Sequence, residues 1–279
     1  MVEVVGQVEN RKRIDSWKKL PNFMIIEGEQ GSGRKTLIRY IAEQFGADSI
    51  LIGNKVSEIR EVIEDNSALF NDRIYIIEGD TMSNGAKSSL LKITEEPPNR
   101  CHIALIVTST QRALPTLTSR ATVLSLWPYS LEDKITYLRS KISLTDERLY
   151  GDYARMVSTL GEFQPLLDFG IEDVYTKVWS LYDSIWEVSD SNALNISSWM
   201  KLKKNDTDDK MDALMFLKAL YNIGSWITVK ESKDMSWEES HRHYNLLTQI
   251  SKAVNLLKST SSSTEIVVNK WIRSVKSFG

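Results

Sequence analysis

The spacing of apolar positions changes repeatedly along the first 128 residues. Short apolar runs rich in β-branched residues alternate with segments in which apolar residues recur every three or four positions. This alternation is typical of a parallel sheet with crossover helices. The predicted strands are Phe23–Glu27, Ser49–Ile52, Arg73–Ile77, His102–Val107 and Thr122–Leu126, and the predicted helices are Arg34–Phe45, Ser57–Ile63 and Lys87–Glu95.

The strand pattern ends after Trp127–Pro128. Two or three short helices are predicted between Leu131 and Phe169, and long amphipathic helices follow. We therefore predict an α/β domain over residues 1–128, a small helical domain over 129–170 and a helical bundle over 171–279. The predicted bundle helices are Val174–Val188, Ala193–Leu202, Lys210–Ile227, Trp237–Lys258 and Thr264–Val275.

A glycine-rich segment follows the first predicted strand and precedes a predicted helix. Gly28 and Gly33 have the spacing of a Gly-x-x-x-x-Gly-Lys-Ser/Thr loop, in which backbone N–H groups and a helix start cradle phosphates. The lysine and the hydroxyl that should follow are replaced by Arg34 and Lys35. A shift of one residue would restore Lys35–Thr36 but place five residues between the glycines, so both registers remain open. The alternative of a simple glycine turn is disfavoured by the position between a strand and a helix.

The third predicted strand carries a second departure from a working nucleotide site. Such a strand ordinarily ends in an aspartate for magnesium, followed by a glutamate that orients the attacking water. Here the order is Glu78, Gly79, Asp80, so glycine replaces the water-orienting carboxylate. Glu78 has a stem long enough to reach a metal, whereas Asp80 is expected to lie too far along the chain. The pattern indicates an NTPase fold with poor or no hydrolysis.

Composition limits the remaining possibilities. A formal net charge of −2 leaves no general basic excess for holding DNA, so any DNA contact is expected to be local or shared with partners. One cysteine, Cys101, excludes an internal disulfide framework and a four-cysteine zinc site. No apolar stretch is long enough to span a bilayer, so we expect a cytoplasmic protein without a membrane partner.

Aromatic and histidine residues in the C-terminal helices offer two further candidate sites. His241 and His243 lie two positions apart on a predicted helix and should face different sides, which disfavours a shared metal. Base stacking is disfavoured for the tryptophans, because they lie among apolar helical positions in a chain without basic bias. We expect a core or interface role for Trp179, Trp186, Trp199, Trp226, Trp237 and Trp271.

Two motifs carry a family resemblance. Residues 88–98, from Ser88 through Thr94-Glu95-Glu96 to Pro97-Pro98, resemble the leucine-leucine-lysine…glutamate-glutamate-proline-proline signature of bacterial clamp-loader AAA+ subunits. The segment from Leu114 to Ala121 is similar to the one that ends in serine-arginine-cysteine in these subunits, and Val56–Ile63 is similar to their helix ahead of the acidic strand. The resemblance is strong over residues 1–128, weaker to 170 and architectural beyond.

The resemblance implies an α/β AAA+ fold, with a RecA-like phosphate-loop domain, a helical lid and an all-α collar. It implies that Arg120 is an arginine finger acting in trans on the ATP and Mg²⁺ of a neighbouring subunit, although Ala121 replaces the usual cysteine. Ser109 matches the family's sensor residue. The candidate residues of the degenerate nucleotide site are Gly28, Gly31, Gly33, Arg34, Lys35, Thr36, Glu78 and Ser109.

The departures favour the non-motor, delta-prime type of subunit of DNA polymerase III over the gamma/tau type. The segment from Gly161 to Leu166 lacks the lid cation that touches phosphates in the motors, and the zinc module of the family is missing, as in a trimmed form from a phage or a reduced genome. Expected partners are gamma/tau-like and delta-like subunits in a hetero-oligomer, expected to be a pentamer, with a sliding clamp and primer-template DNA. The alternatives are a gamma/tau-like ATPase motor and an inactive AAA+ scaffold outside replication.

Overall fold

The computed structural model describes residues 2–55, 57, 71–186, 209–260 and 263–276. The chain divides into two compact units. The first contains residues 1–133 together with the short segment 159–161, and the second contains residues 134–158 and 162–279. The predicted helices Ser57–Ile63 and Ala193–Leu202 lie largely or wholly outside the described residues. The predicted domain limits at 128 and 170 remain a prediction.

The first unit is built on a parallel sheet, which has five strands among the described residues, in the order β2-β3-β4-β1-β5. The carboxyl ends of the strands therefore meet at one edge, where sites in such sheets form. The strands are β1 (Phe23–Glu27), β2 (Asp48–Leu51), β3 (Arg73–Glu78), β4 (Cys101–Val107) and β5 (Thr122–Ser125). Each lies within two residues of its predicted bounds.

Helices cover both faces of this sheet, because its central strands are apolar on both sides. Phe23 and Ile25 of β1 face the core under α3 and α4, whereas Met24 and Ile26 face the core under α1 and α2. This alternation follows the two-residue period of a strand. The covering helices are α1 (Val8–Asp15), α2 (Arg34–Phe45), α3 (Asn84–Glu95) and α4 (Pro115–Thr118).

The rest of the described chain is helical, as predicted. The longest helices are α9 (Asp209–Glu231) and α10 (Trp237–Ser259), and α10 starts with a capping box between Ser236 and Glu239. None of the described helices is long and apolar enough to cross a bilayer. The remaining helices are α5 (Leu131–Arg139), α6 (Arg148–Arg155), α7 (Phe163–Phe169), α8 (Ile171–Ser184) and α11 (Thr264–Lys276).

Candidate functional site

The glycine loop lies at the carboxyl edge of the sheet, between β1 and α2. Gly31 and Gly33 have φ angles of 86° and 87°, which favour glycine. Gly33 is the N-cap of α2 and Arg34 is its first residue, so the loop keeps the register in which Arg34 occupies the lysine position. Thr36 follows, half-buried in the first turn. The strand, loop and helix predicted from the sequence are confirmed.

The outside of this loop is held by other parts of the same unit. The Gly161 N–H donates to the Gly31 carbonyl oxygen at 2.9 Å, and the Thr159 hydroxyl donates to the Gln30 carbonyl oxygen at 3.4 Å. The Tyr129 hydroxyl donates to the next carbonyl in the loop, that of Ser32, at 2.7 Å. Three consecutive loop carbonyls thus accept hydrogen bonds from the same unit, which hold the loop backbone from its outer side.

Arg34 occupies the position of the phosphate-binding lysine, but its charge is paired internally. Its Nη1 lies 3.5 Å from Oδ2 of Asp80, and the two side chains are only 12% and 23% exposed. Asp80 also accepts hydrogen bonds from the backbone N–H and the hydroxyl of Thr108, at 2.8 and 2.9 Å. Burial raises the pKa of Asp80, but these hydrogen bonds and Arg34 outweigh burial and hold the pKa below its usual value. Sequence reasoning missed this network.

Lys35 and Glu78 form a second pair at the same edge. The Lys35 ammonium lies 2.8 Å from Oε1 of Glu78. In a working loop, a hydroxyl at the position of Lys35 and the acid at the end of β3 bind Mg²⁺. A cationic side chain therefore contacts the carboxylate that would bind the metal ion. The structure brings the two candidate residues Lys35 and Glu78 together in an ion pair.

Ser109 takes part in a local contact instead of this network. Its hydroxyl accepts a hydrogen bond from the Gln111 N–H at 3.3 Å and caps the short 3₁₀ helix Thr110–Arg112. The sensor role implied for it stays a prediction.

Glu27, at the end of β1, is linked to the end of β5 and to the segment after β4, which sequence reasoning did not connect. Its carboxylate accepts from the Thr110 N–H at 2.8 Å and from the Ser125 hydroxyl at 2.7 Å. The backbone hydrogen bond from Thr110 is the main reason why the pKa of Glu27 is lowered. The carboxyl ends of β1 and β5 and the segment after β4 are thereby tied together. A glutamate directly before a glycine loop was the only signal of this role in the sequence.

Arg120 lies at the opposite, amino edge of the sheet, two residues before β5 begins. Its Nη1 donates to the Thr116 carbonyl oxygen at 2.8 Å, and its Nη2 donates to Oε1 of Glu95 at 3.2 Å. The side chain is nevertheless 43% exposed. A cavity of about 620 Å³ opens beside it, lined by Lys19, Pro21, Asn22, Phe23, Thr94, Glu95, Arg120 and Thr122. Arg120 thus forms a carboxylate pair and also presents its guanidinium to solvent.

The two C-terminal histidines face different neighbours, and the expectation that they share no metal stays a prediction. The ring of His241 stacks on that of Trp237 at 5.2 Å, whereas Nδ1 of His243 lies 2.7 Å from the Tyr182 hydroxyl. Burial lowers the pKa of His243. Trp237 is 77% exposed, so the interface role rather than the core role stays the prediction for it, whereas Trp271 is buried. Trp199 lies outside the described residues.

Comparisons with known proteins agree with the motifs. Residues 3–130 match the family described as DNA polymerase III, delta subunit. The subunit delta' of DNA polymerase III from Buchnera aphidicola subsp. Baizongia pistaciae is 23% identical over 241 residues, which cover 82% of this chain and 67% of the relative. The resemblance to delta-prime-type clamp-loader subunits is confirmed.

A solved structure supports the fold. The crystal structure of a DNA polymerase III gamma subunit-related protein from Thermotoga maritima aligns with a TM-score of 0.54 at 17% identity. The alignment covers 98% of this chain and 99% of that one. The predicted fold, a parallel α/β sheet domain followed by helical regions, is confirmed.

Proposed function

We propose that this chain is a non-motor, delta-prime-like subunit of a clamp loader, the complex that places a sliding clamp on primer-template DNA. The proposal rests on the match of residues 3–130 and on the delta' relative. Its partners would be gamma/tau-like and delta-like subunits in a hetero-oligomer, which we expect to be a pentamer. Such a complex works on DNA in the cytoplasm of a bacterial cell.

The observation that supports the non-motor role most directly is the contact of Lys35 with Glu78 at 2.8 Å. Binding Mg²⁺ at Glu78 would require displacing this ammonium and placing two cations near one carboxylate. Arg34 is likewise committed to Asp80, and Gly79 has no carboxylate to orient water. The chain's own loop therefore places a cation on its candidate metal ligand and lacks a water-orienting group, two departures from the parts that hydrolysis needs.

Arg120 supplies the second part of the proposal, an arginine finger for a neighbour's ATP and Mg²⁺. The glycine loop follows the carboxyl end of β1, whereas Arg120 precedes the amino end of β5, which pairs in parallel with β1. A strand of five residues spans roughly 16 Å, so Arg120 cannot reach its own loop. A guanidinium at an exposed edge can still stabilise the charge that develops on a triphosphate offered by another subunit.

The test is the ATPase rate of the assembled complex with Arg120→Ala. We expect kcat to fall by a factor of roughly 10³ at the site that this chain completes, with the complex still assembled. Arg148→Ala is the matched control, because Arg148 is an exposed arginine in a similar pair with Asp146. An unchanged rate in Arg120→Ala would remove the finger from the proposal.

The rival motor role is tested on the chain alone. A gamma/tau-like motor would hydrolyse ATP, and Glu78→Gln would abolish that activity. We expect no hydrolysis above background by the isolated chain. The rival scaffold role outside replication is tested by co-purification, since a scaffold would not recover clamp-loader subunits or a sliding clamp.

A further inference from the structure

The partner of Arg120 lies in the other family motif. Glu95 is the last residue of α3, which ends there because Pro97 and Pro98 cannot continue the helix. A carboxylate at the C-terminal end of a helix is unfavourable next to the exposed carbonyl groups. Glu95 is thus in a position where its negative charge is disfavoured locally, and the contact with Arg120 at 3.2 Å compensates for this.

We propose that Glu95 is the positioning residue of Arg120, an inference that rests on the proposed finger role. The guanidinium is held at two points, by the Thr116 carbonyl oxygen at 2.8 Å and by Glu95. The Thr116 contact comes from the turn that carries Arg120, so it follows any movement of that turn. Glu95 belongs to a different element, α3, which packs on the sheet through Leu90 and Ile93. Glu95 therefore fixes the direction of the side chain relative to the sheet.

The weakness of the pair suits this role. Glu95 and Arg120 are 53% and 43% exposed, and an exposed ion pair contributes little to stability. A phosphate that approaches Arg120 can thus replace or share the contact with Glu95. Before that moment the carboxylate keeps a long side chain in one orientation, which reduces the entropy that is lost when the phosphate binds.

The cavity beside the pair gives Glu95 an electrostatic task as well. Lys19 and Arg120 both line it, so without a carboxylate the two cations would repel each other. Glu95 lines the same cavity, so Lys19, Arg120 and Glu95 together carry a net charge of +1, from two cations and one anion. The lining stays attractive to a phosphate while Arg120 keeps its position.

A double-mutant cycle in the assembled complex tests this inference. We expect Glu95→Ala to lower kcat of the ATPase by about 10-fold with KM for ATP unchanged, since misplacing a catalytic group reduces rate more than binding. Glu95→Gln, which keeps a hydrogen-bond acceptor at the same length, should lose about 3-fold. In the Arg120→Ala background, both Glu95 variants should have no further effect, because their action passes through the guanidinium.

Glu96→Ala is the matched control, since Glu96 is the next residue, exposed, with the same charge. The positioning role would be overturned if Glu95→Ala left kcat unchanged. It would also be overturned if Glu95→Ala lowered kcat by the same factor with Arg120 present and with Arg120→Ala; in both cases the finger role would stand. If Arg120→Ala itself has no effect, the proposed function fails first. If Glu95→Ala prevents folding, the same double-mutant cycle can be measured with the isosteric Glu95→Gln.

Discussion

Gly161 lies so close to the glycine loop that the methyl group of an alanine at this position should separate the segment Thr159–Gly161 from the loop. A Cβ at residue 161 would lie 2.6 Å from the Cα of Gly31 and 3.0 Å from its carbonyl oxygen. Both neighbours are backbone atoms, which cannot rotate away as a side chain can. Gly161→Ala must therefore push the segment Thr159–Gly161 off the loop and break the 2.9 Å hydrogen bond to Gly31.

The expected loss of stability has two sources. Forcing a methyl group into a packed contact costs about 1 to 3 kcal/mol, and losing one backbone hydrogen bond costs about 1 kcal/mol. The sum of roughly 2 to 4 kcal/mol corresponds to a fall in Tm of about 3 to 7 °C for a chain of this size. Amide hydrogen exchange should also become faster in the loop, residues 28–33, because the loop opens more readily once its carbonyls lose the hydrogen bonds from Thr159–Gly161.

The matched control is Gly151→Ala in α6. A Cβ there would meet only the guanidinium end of Arg155 at 3.2 Å, and alanine is favoured over glycine inside a helix by roughly 0.5 to 1 kcal/mol. Thermal unfolding should show Gly151→Ala equal to or above the unsubstituted chain. A loss of less than about 1 kcal/mol in Gly161→Ala, or a loop exchange rate that does not change, would refute the close contact.

Three further outcomes follow from the charged side chains. Asp80→Asn should destabilise the chain by about 1 to 3 kcal/mol near neutral pH. Because the pKa of Asp80 is lowered from 3.8 in the folded chain, the stability that its charge contributes is present above pH 3.8 and is lost as the pH falls through the folded pKa. The difference in urea unfolding between Asp80→Asn and the unsubstituted chain should therefore vanish in strong acid. The pKa of His243 is lowered from 6.5 in the folded chain, so the unfolded chain binds the proton at a higher pH and the free energy of unfolding should decline as pH falls below 6.5. Unfolding curves at pH 8 and pH 5 should show a smaller decline in His243→Gln. Arg34→Lys together with Lys35→Thr restores the lysine and the hydroxyl of the motif. This double variant should still show no ATPase activity as an isolated chain, because Gly79 provides no water-orienting carboxylate. Measurable turnover would contradict the non-motor role.

Local patterns in the sequence were enough to predict the sheet and its glycine loop. Apolar runs such as Phe23–Glu27 are short, continuous and followed by glycine, and a fully buried parallel strand produces this pattern. The replaced positions Arg34, Lys35 and Gly79 could also be identified, because each is fixed by its distance from a glycine or a strand end.

The partners of those residues could not be predicted, since they lie far away in sequence. Thr159 and Gly161 reach the loop from about 130 positions away, and Thr108 reaches Asp80 across 28 positions. Their types are common in loops, so no spacing rule distinguishes them. The choice between core and interface could not be made for Trp237 either, because the apolar pattern of α10 continues to its first turn, where this residue is exposed.

Packing within the first unit gives the glycines of this loop a role apart from nucleotide binding. Gly31 and Gly33 adopt angles that favour glycine, and Gly31 leaves room for Gly161 and for the Thr159 hydroxyl. The outer side of this loop is therefore a packing surface, and the two cations that follow it, Arg34 and Lys35, pair with Asp80 and Glu78. Substitutions in this loop should therefore act on stability, whereas Arg120 at the other edge is 43% exposed and its carboxylate partner is exposed as well. The two edges of one sheet are thus open to different substitutions: changes at the loop should alter unfolding, and changes at Arg120 should alter the activity of a neighbour.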